Sequence, residues 1–520
     1  MSAASYKIEG GDFDRAGLAT ASLKELLLKV GVDRSILRRV LIVAYEAEMN
    51  VVIHAYRGTM QAFLKEGEIE LEFSDEGPGI ADIDLAMKEG YSTASHAARE
   101  LGFGAGMGLP NIRKNSDRFA IESAVGRGTA LRAAVRLKPQ EAGEGAPNSI
   151  HVEAPLCQGC LRCLSACPTG ALRVHEGKPR IFEPLCIDCA ACIASCPTGA
   201  LTVEGAASDM PQPAQDMILI LPYPVLAQFG PTSPQQVIEA LASKGFTGVV
   251  VTDAWEAALS QAVADFAEKR AKTLPVISPV CPVVANLIRL GFPSLIENLA
   301  LFLSPIEAIL TELGDRKAAL VTLCPAQRTQ LLSARASKNC LFVKPSRVHQ
   351  EIAHAAVSND AGFSTTAAES GPPSNGILRA SGLRHVIDVL KQAENGLLGD
   401  VKVLELFACE QGCFGSALLS LDAFIARHRW MKAPLKADKS AKALDRKSPW
   451  TRREGLRLDK DMAAAIRKLS QVSALRRGLP GKDCGMCGAP TCTALAEDVV
   501  LGRTGKSACP FLAAAKEVRE

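Results

Sequence analysis

The chain has almost no net charge to offer a partner: 59 lysines and arginines face 56 aspartates and glutamates over 520 residues, a formal balance of +3. A field that weak draws in neither nucleic acid nor an anionic membrane, so no nucleic-acid partner is expected. Long apolar runs are missing too. The two most apolar stretches, MILILPYPVLAQF and LALFLSPIEAIL, are broken by proline and fall short of the about 20 residues that cross a bilayer, so no membrane span is expected. The opening MSAASYKIEGGDFDRAG lacks the basic start and apolar core of a secretory leader, which makes a cytoplasmic location the expectation. Disulfides are not expected there. The 17 cysteines then read as metal ligands.

A chain of this length exceeds one core, and about three or four domains are expected. Composition breaks at KPQEAGEGAPNS (138–149), GAASDMPQPAQ (205–215), VSNDAGFSTTAAESGPPSNG (357–376) and the basic KADKSAKALDRKSPWTRREG (436–455), which read as linkers or loops. The basic run holds one aromatic, Trp450, and reads as a solvated connector rather than a nucleic-acid patch. The segments so delimited are 1–138, 150–205, 216–430 and 456–520. One internal repeat stands out. CQGCLRCLSACPTGAL at 157–172 recurs as CIDCAACIASCPTGAL at 186–201, a duplicated unit of about thirty residues.

In the first segment, RSILRRVLIVAYEAEMNVVIHAY has apolar residues at helical spacing, with Glu46 and Asn50 four apart on one face. A carboxylate and an amide stacked in this way could hold Mg2+ and a water; alone, such a pair is more often a solvated face. EIELEFSD then alternates like a strand and delivers Asp75 to the turn EGPGI, where Gly77 and Gly79 permit close backbone approach. Next, GFGAGMGLPNIRK is a glycine-rich loop opening a helix, which can bring backbone N–H groups to phosphates. GRGTALRA leads into a further strand. A lone glycine loop is weak evidence, but the four elements in this order are specific.

On DEGPGIADIDLAMKEGYSTA and GAGMGLPNIRK, about the first 138 residues resemble the GHKL ATPase superfamily, and within it the switch kinases and anti-sigma-factor kinases of bacterial stress signalling. The resemblance implies that Glu46 orients or deprotonates the phosphate acceptor and Asn50 binds Mg2+. It implies that Asp75 accepts from the adenine amino group, Gly77 and Gly79 form its turn, Gly104, Gly106 and Gly108 cover the phosphates, and Thr129 closes the adenine site. ATP and Mg2+ are the expected ligands, and a serine or threonine of a partner protein is the acceptor the family uses. Members often dimerise, so a homodimer is also an expectation. The chain departs from the family by a longer insert, SHAAREL, before the glycine loop.

Each repeat of the second segment reads Cys-x2-Cys-x2-Cys-x3-Cys-Pro. Three closely spaced thiolates reach one cubane while the fourth, a turn further on, reaches the other. The expected sets are Cys157, Cys160, Cys163 and Cys196 for one 4Fe-4S cluster, and Cys186, Cys189, Cys192 and Cys167 for the second. The bland alternative is zinc, which prefers separated pairs. The unit resembles two-cluster bacterial ferredoxins and would relay electrons.

In the third segment the cysteines are scattered, and each alone reads as a small buried apolar side chain. Cys281, Cys324 and Cys409 nevertheless follow short apolar runs that alternate with helical stretches, as parallel βαβ units do. The ends of such strands gather at one sheet edge, where ligands bind. The segments around Cys281, Cys324, Cys409 and Cys413 resemble the cluster-binding motifs of iron-only hydrogenase large subunits, in which four cysteines hold a cubane bridged to a diiron centre. This chain departs at Val280, where the family has its proton-transferring cysteine, and at Gln327, where it has a lysine. It departs again at Thr322 and Phe407, where it has methionines, and in a glycine triplet reduced to Gly415, Ser416 and Ala417. Valine cannot relay protons and an amide cannot supply the charge of lysine. The cubane is expected; hydrogen turnover is not.

The last segment places Cys484, Cys487, Cys492 and Cys509 in DCGMCGAPTCTALAEDVVLGRTGKSACPF, with zinc again the competitor. It resembles the small 4Fe-4S domain of electron-transfer subunits and corrinoid iron-sulfur proteins. Sixteen of the 17 cysteines thus form four sets of four, leaving Cys340 as a structural thiol. The expected fold class is multidomain α/β and α+β: a GHKL α/β sandwich, a ferredoxin-like double-cluster module, a parallel-sheet hydrogenase-like domain and a small 4Fe-4S domain. The expected function is redox-sensing regulation, the cluster state being coupled to an ATP-binding domain that either phosphorylates a partner, as a protein serine/threonine kinase, or sequesters it. The alternatives are ATP-driven electron transfer with a ferredoxin- or flavodoxin-type partner, an active hydrogenase, and a scaffold for redox partners.

Overall fold

A computed structural model of the chain describes residues 2–32, 34–65, 67–94, 106–137, 148–175, 177–203, 216–229, 232–269, 273–333, 339–355, 376–432, 435, 440–459 and 461–512. They fall into two compact units, residues 1–144 with 454–487 and 491–520, and residues 145–453 with 488–490.

The first unit is built on an antiparallel sheet. Strand β1 (Ser2–Glu9) precedes helices α1 (Leu18–Lys29) and α2 (Arg34–His54), followed by β2 (Arg57–Lys65), β3 (Glu68–Asp75), helix α3 (Gly108–Asn115), β4 (Arg118–Ser123) and β5 (Thr129–Arg136), with strand order β1-β2-β3-β5-β4. The alternation of β3 decides its facing: Ile69, Leu71 and Phe73 are buried while the glutamates between them are not. Helix α2 meets that face with Val40, Val43, Ala44, Ala47 and Val51. The buried carboxylate of Glu48 sits at the start of α1, where it accepts from the N–H groups of Gly17, Ala19 and Thr20 and from the Thr20 hydroxyl at 2.7 to 3.1 Å. The helices Met462–Arg477 and Cys492–Val500 join this core through Ala465, Leu469, Val472 and Ala496.

The second unit begins with the repeat. Strand β6 (Ile150–Val152), helix α4 (Arg162–Ala166), the hairpin β7 (Leu172–His175) and β8 (Lys178–Ile181), helix α5 (Ala191–Ser195) and strand β9 (Leu201–Val203) pair as β6 with β9 and β7 with β8. The duplication is visible in the backbone: Leu161 and Ala190, equivalent in the two copies, both take a left-handed conformation just before their helix, at φ 62° and 61°.

The remainder is parallel α/β, with helices between strands. It runs β10 (Ile218–Leu221), β11 (Gly248–Val251), α6 (Asp253–Lys269), β12 (Val276–Ile277), α7 (Pro282–Gly291), β13 (Ala318–Val321), α8 (Pro325–Ser333), β14 (Cys340–Val343), β15 (Ile377–Ser381) and β16 (Val403–Phe407). The strands form two parallel sheets rather than one, β11-β10-β13-β14 and β12-β16-β15. Strands β10 and β13 are buried at every position, as sheets covered on both faces require. Among the described residues no helix is long and apolar enough to cross a membrane.

Candidate nucleotide and iron-sulfur sites

Helix α2 presents Glu46 and Asn50, both half-buried, to the start of α3. A Cβ placed on Gly108 would lie 3.1 Å from Asn50 Oδ1, a tight approach, and 3.4 Å from Glu46 Oε2, an ordinary contact, so the start of α3 lies close against both side chains. Burial raises the Glu46 carboxyl above its ordinary range, and the Asn111 amide, donating to Oε1 at 2.6 Å, opposes that rise. Nothing in the sequence pattern singles out Asn111, although its place three residues after Gly108 puts both on one face of α3.

Strand β3 ends at Asp75. Its carboxyl is raised by burial and held down by N–H groups of Thr129 and Gly77; the Thr129 N–H lies 3.2 Å from Oδ1. Gly79 turns at φ 72° so near Ala124 that a side chain has no room. Ser123, also unforeseen, ties the turn together: it accepts from Ile80 N at 2.8 Å, donates to Gly128 O at 2.9 Å and meets Thr129 Oγ1 at 3.0 Å. A carboxylate edge-on to a glycine turn, with a hydroxyl beside it, can take an exocyclic amino group and a ring nitrogen. Gly106, the first described residue after 105, has φ 74°; Gly104 and the SHAAREL insert lie outside the described residues.

In the repeat, Cys157, Cys160 and Cys163 line one cavity together with Cys196 from the other copy. Around the second set, burial and then neighbouring sulfurs raise the Cys192 thiol to about 12, Cys189, Cys167 and Cys163 being those neighbours. Backbone N–H groups point at the sulfurs, from Gly159 to Cys157 at 3.4 Å and from Ala171 to Cys167 at 3.2 Å. One of the differences between the copies introduces a buried charge. Where the first has Gly159, the second has Asp188, buried, accepting from Ser149 N at 3.0 Å and Thr329 Oγ1 at 2.8 Å.

Cys281, Cys324 and Cys409 follow β12, β13 and β16, the first and third in one sheet and the second in the other. The two sheets nevertheless bring them together. Burial raises the Cys324 thiol, and the sulfurs of Cys281 and Cys409 add to it. Cys413 is raised by burial, by Glu256, and by Cys409, Cys281 and Cys324. The Cys409 thiol, pushed up to about 12 by burial, also feels Cys189 of the repeat. Val280 and Phe407 pack against the apolar cluster that contains Cys281. Tyr223 donates to Glu256 at 3.2 Å beside this group, a pair that no motif in the sequence marks.

Cys492 opens its helix and Cys509 follows the turn Lys506–Ala508, both buried, whereas Cys484 is exposed. Asp483 accepts from Cys492 N at 2.6 Å. Cys340 lies apart at the start of β14.

Buried thiols are poor nucleophiles and poor ligands until a metal replaces their proton, which a coordinating cation does outright. Among the described residues no three His, Cys, Asp or Glu side chains close on one point tightly enough for a single ion. A cubane takes one thiolate on each iron, and the cavity lined by Cys157, Cys160, Cys163 and Cys196 offers four.

Comparison with known proteins gives four matches along the chain. Residues 12–135 match the histidine kinase-like ATPase domain, 156–201 the 4Fe-4S dicluster domain, 220–315 the iron only hydrogenase large subunit, C-terminal domain, and 479–511 an Fe-S cluster family. The hydrogenase match contains Cys281 but ends before the other three central cysteines. The N-terminal part is 36% identical over 92 residues to the anti-sigma F factor of Caldanaerobacter subterraneus subsp. tengcongensis, covering 17% of this chain and 61% of that protein. It is 32% identical over 92 residues to the serine/threonine-protein kinase RsbT of Bacillus subtilis, covering 17% and 63%. The chain thus spans about three fifths of the length of these curated relatives. A structure of the [FeFe]-hydrogenase HydA1 from Chlamydomonas reinhardtii is similar at 14% identity and a TM-score of 0.34, over 45% of this chain and 88% of that one; likeness at that level establishes nothing about activity. The chain carries a histidine-kinase-like ATPase segment fused to iron-sulfur segments, one of them hydrogenase-like.

Proposed function

We propose that the chain is a redox-responsive regulator: four 4Fe-4S clusters register electron supply, and the N-terminal ATPase segment, with Mg2+ and ATP, passes that state to a partner protein by phosphorylating or sequestering it. The observation that carries this reading is the arrangement of Glu46 and Asn50 against the start of α3, with Asp75 and Thr129 at the neighbouring turn. That arrangement suits transfer or hydrolysis of a phosphoryl group, and it sits in the same chain as sixteen cysteines that fall into four sets of four. Sulfur ligands in that number point to electron storage as the input. The relatives named anti-sigma factor and serine/threonine-protein kinase lend support to a protein as the output.

The decisive experiment is anaerobic. ATP affinity and turnover of the reconstituted chain are compared between oxidised and dithionite-reduced protein, with Glu46→Ala as control. A redox-dependent difference is expected in both quantities, its turnover part lost in the variant and its affinity part retained, because the adenine turn is intact there. Identical affinity and turnover in both states would sink the regulatory reading.

One observation favours a second reading. Cys409 of the central set and Cys189 of the repeat lie close enough to act on each other electrostatically, which suits passage of electrons between the two sets. In that reading ATP turnover drives electrons from a ferredoxin- or flavodoxin-type donor. It requires a fixed ratio of ATP consumed to electrons delivered, and delivery that proceeds without ATP would dismiss it.

A further inference from the structure

We infer that Asn111 is the positioning residue for Glu46: its amide, carried on the helix behind the glycine loop, holds one carboxylate oxygen and leaves the other turned toward the start of α3. The inference rests on the ATPase reading above and names a residue that reading does not use.

The geometry is specific. Asn111 Nδ2 lies 2.6 Å from Glu46 Oε1, while Oε2 faces Gly108. The donor is on a helix held at several points, as precise placement requires. Ile112 is fully buried, and Arg39 of α2 donates to Asn115 O at 3.2 Å and pairs with Asp117 at 3.0 Å. An uncharged donor suits this role, because it fixes the carboxylate without the strong pairing a lysine or arginine would impose. The oxygen left over then stays available to an acceptor hydroxyl or a water.

The experiment is a double-mutant cycle in the full reconstituted chain. Mg-ATP affinity and turnover are measured for wild type, Asn111→Leu, Glu46→Ala and the double variant. Asn111→Leu is expected to lower turnover about tenfold or more, as misplacing a reacting group does, with affinity unchanged within about twofold. In the Glu46→Ala background the same substitution is expected to change nothing further. Asn111→Ala guards against misfolding: it removes the donor without adding bulk or charge, and should behave as Asn111→Leu does. Full turnover in either variant, or equal losses with and without Glu46, overturns the inference alone. Wild-type protein that binds no Mg-ATP sinks the ATPase reading itself and the inference with it. Binding without any turnover leaves nucleotide binding standing and overturns the inference.

Discussion

At the scale of single residues, glycine at 108 lets the Asn50 amide lie undisturbed against the start of α3. An alanine Cβ there would sit 3.1 Å from Asn50 Oδ1, tighter than ordinary van der Waals contact, and would displace the amide proposed to hold Mg2+. Gly108→Ala should therefore weaken Mg-ATP binding by about tenfold, about 1.4 kcal/mol, while leaving the circular dichroism spectrum unchanged; titration calorimetry reads the difference. Asp188 argues differently. It accepts from a buried backbone N–H and a buried hydroxyl; Asp188→Ala strands the Ser149 N–H at about 1–3 kcal/mol, while the Thr329 hydroxyl keeps Ser149 Oγ at 2.7 Å. The variant should unfold at clearly lower denaturant, and Asp188→Asn, which keeps an acceptor, should lose less. Neither Asp188 nor Asn111 was legible in the sequence. Glu46, Asn50 and Asp75 stand in a recognisable order, whereas a partner 65 residues away, as Asn111 is from Glu46, is set by how α3 lies on α2.

At the scale of elements, the repeat was legible because cysteine spacing is short-range information: three thiolates sit within a few residues of one another and a turn delivers the fourth. The cavity lined by Cys196 together with Cys157, Cys160 and Cys163 is the pairing that spacing suggests. Cys196→Ser and Cys167→Ser should each remove one of two distinct cluster signals in electron paramagnetic resonance, and not the same one. The central strands were less legible. Their apolar runs and intervening helices announce parallel pairing, but not that β12 and β16 leave the sheet of β10 and β13, since pairing partners are chosen by tertiary packing. Helix α6 brings Glu256 into this region, and its carboxyl is pushed up from 4.5 to about 7, first by burial, with Glu405 and Asp253 adding to the rise and Tyr223 opposing it. Because the folded value exceeds the unfolded one, folding favours the protonated form. The cost of the ionised form is absent below pH 4.5 and grows to a plateau above about pH 7, on the order of 3 kcal/mol as an upper figure. Glu256→Gln should accordingly raise the thermal midpoint of the cluster-free chain at pH 8 and leave it unchanged at pH 4.

At the scale of the whole molecule, regulation and electron transfer make different demands on the free energy that links nucleotide to cluster. If reduction changes ATP affinity by a factor α, then saturating ATP must change the reduction potential by the equivalent free energy, because binding and reduction close one thermodynamic cycle. A tenfold change in affinity corresponds to about 59 mV for a one-electron step. The regulatory reading therefore predicts that a potentiometric titration with and without saturating Mg-ATP will show a shift whose size matches the ratio of ATP dissociation constants in the two states. Its sign is fixed as well: tighter ATP binding to the reduced chain must raise the potential. The shift should vanish when nucleotide binding is removed by Asp75→Ala, and it should survive Glu46→Ala, which leaves the adenine turn intact. An ATP-driven electron carrier behaves otherwise, since it needs turnover and its potential under a non-hydrolysable analogue need not follow the affinities measured in ATP. Two modules sharing a chain without coupling would give neither a shift nor a difference in affinity, and the agreement or disagreement of the two measurements decides among the three.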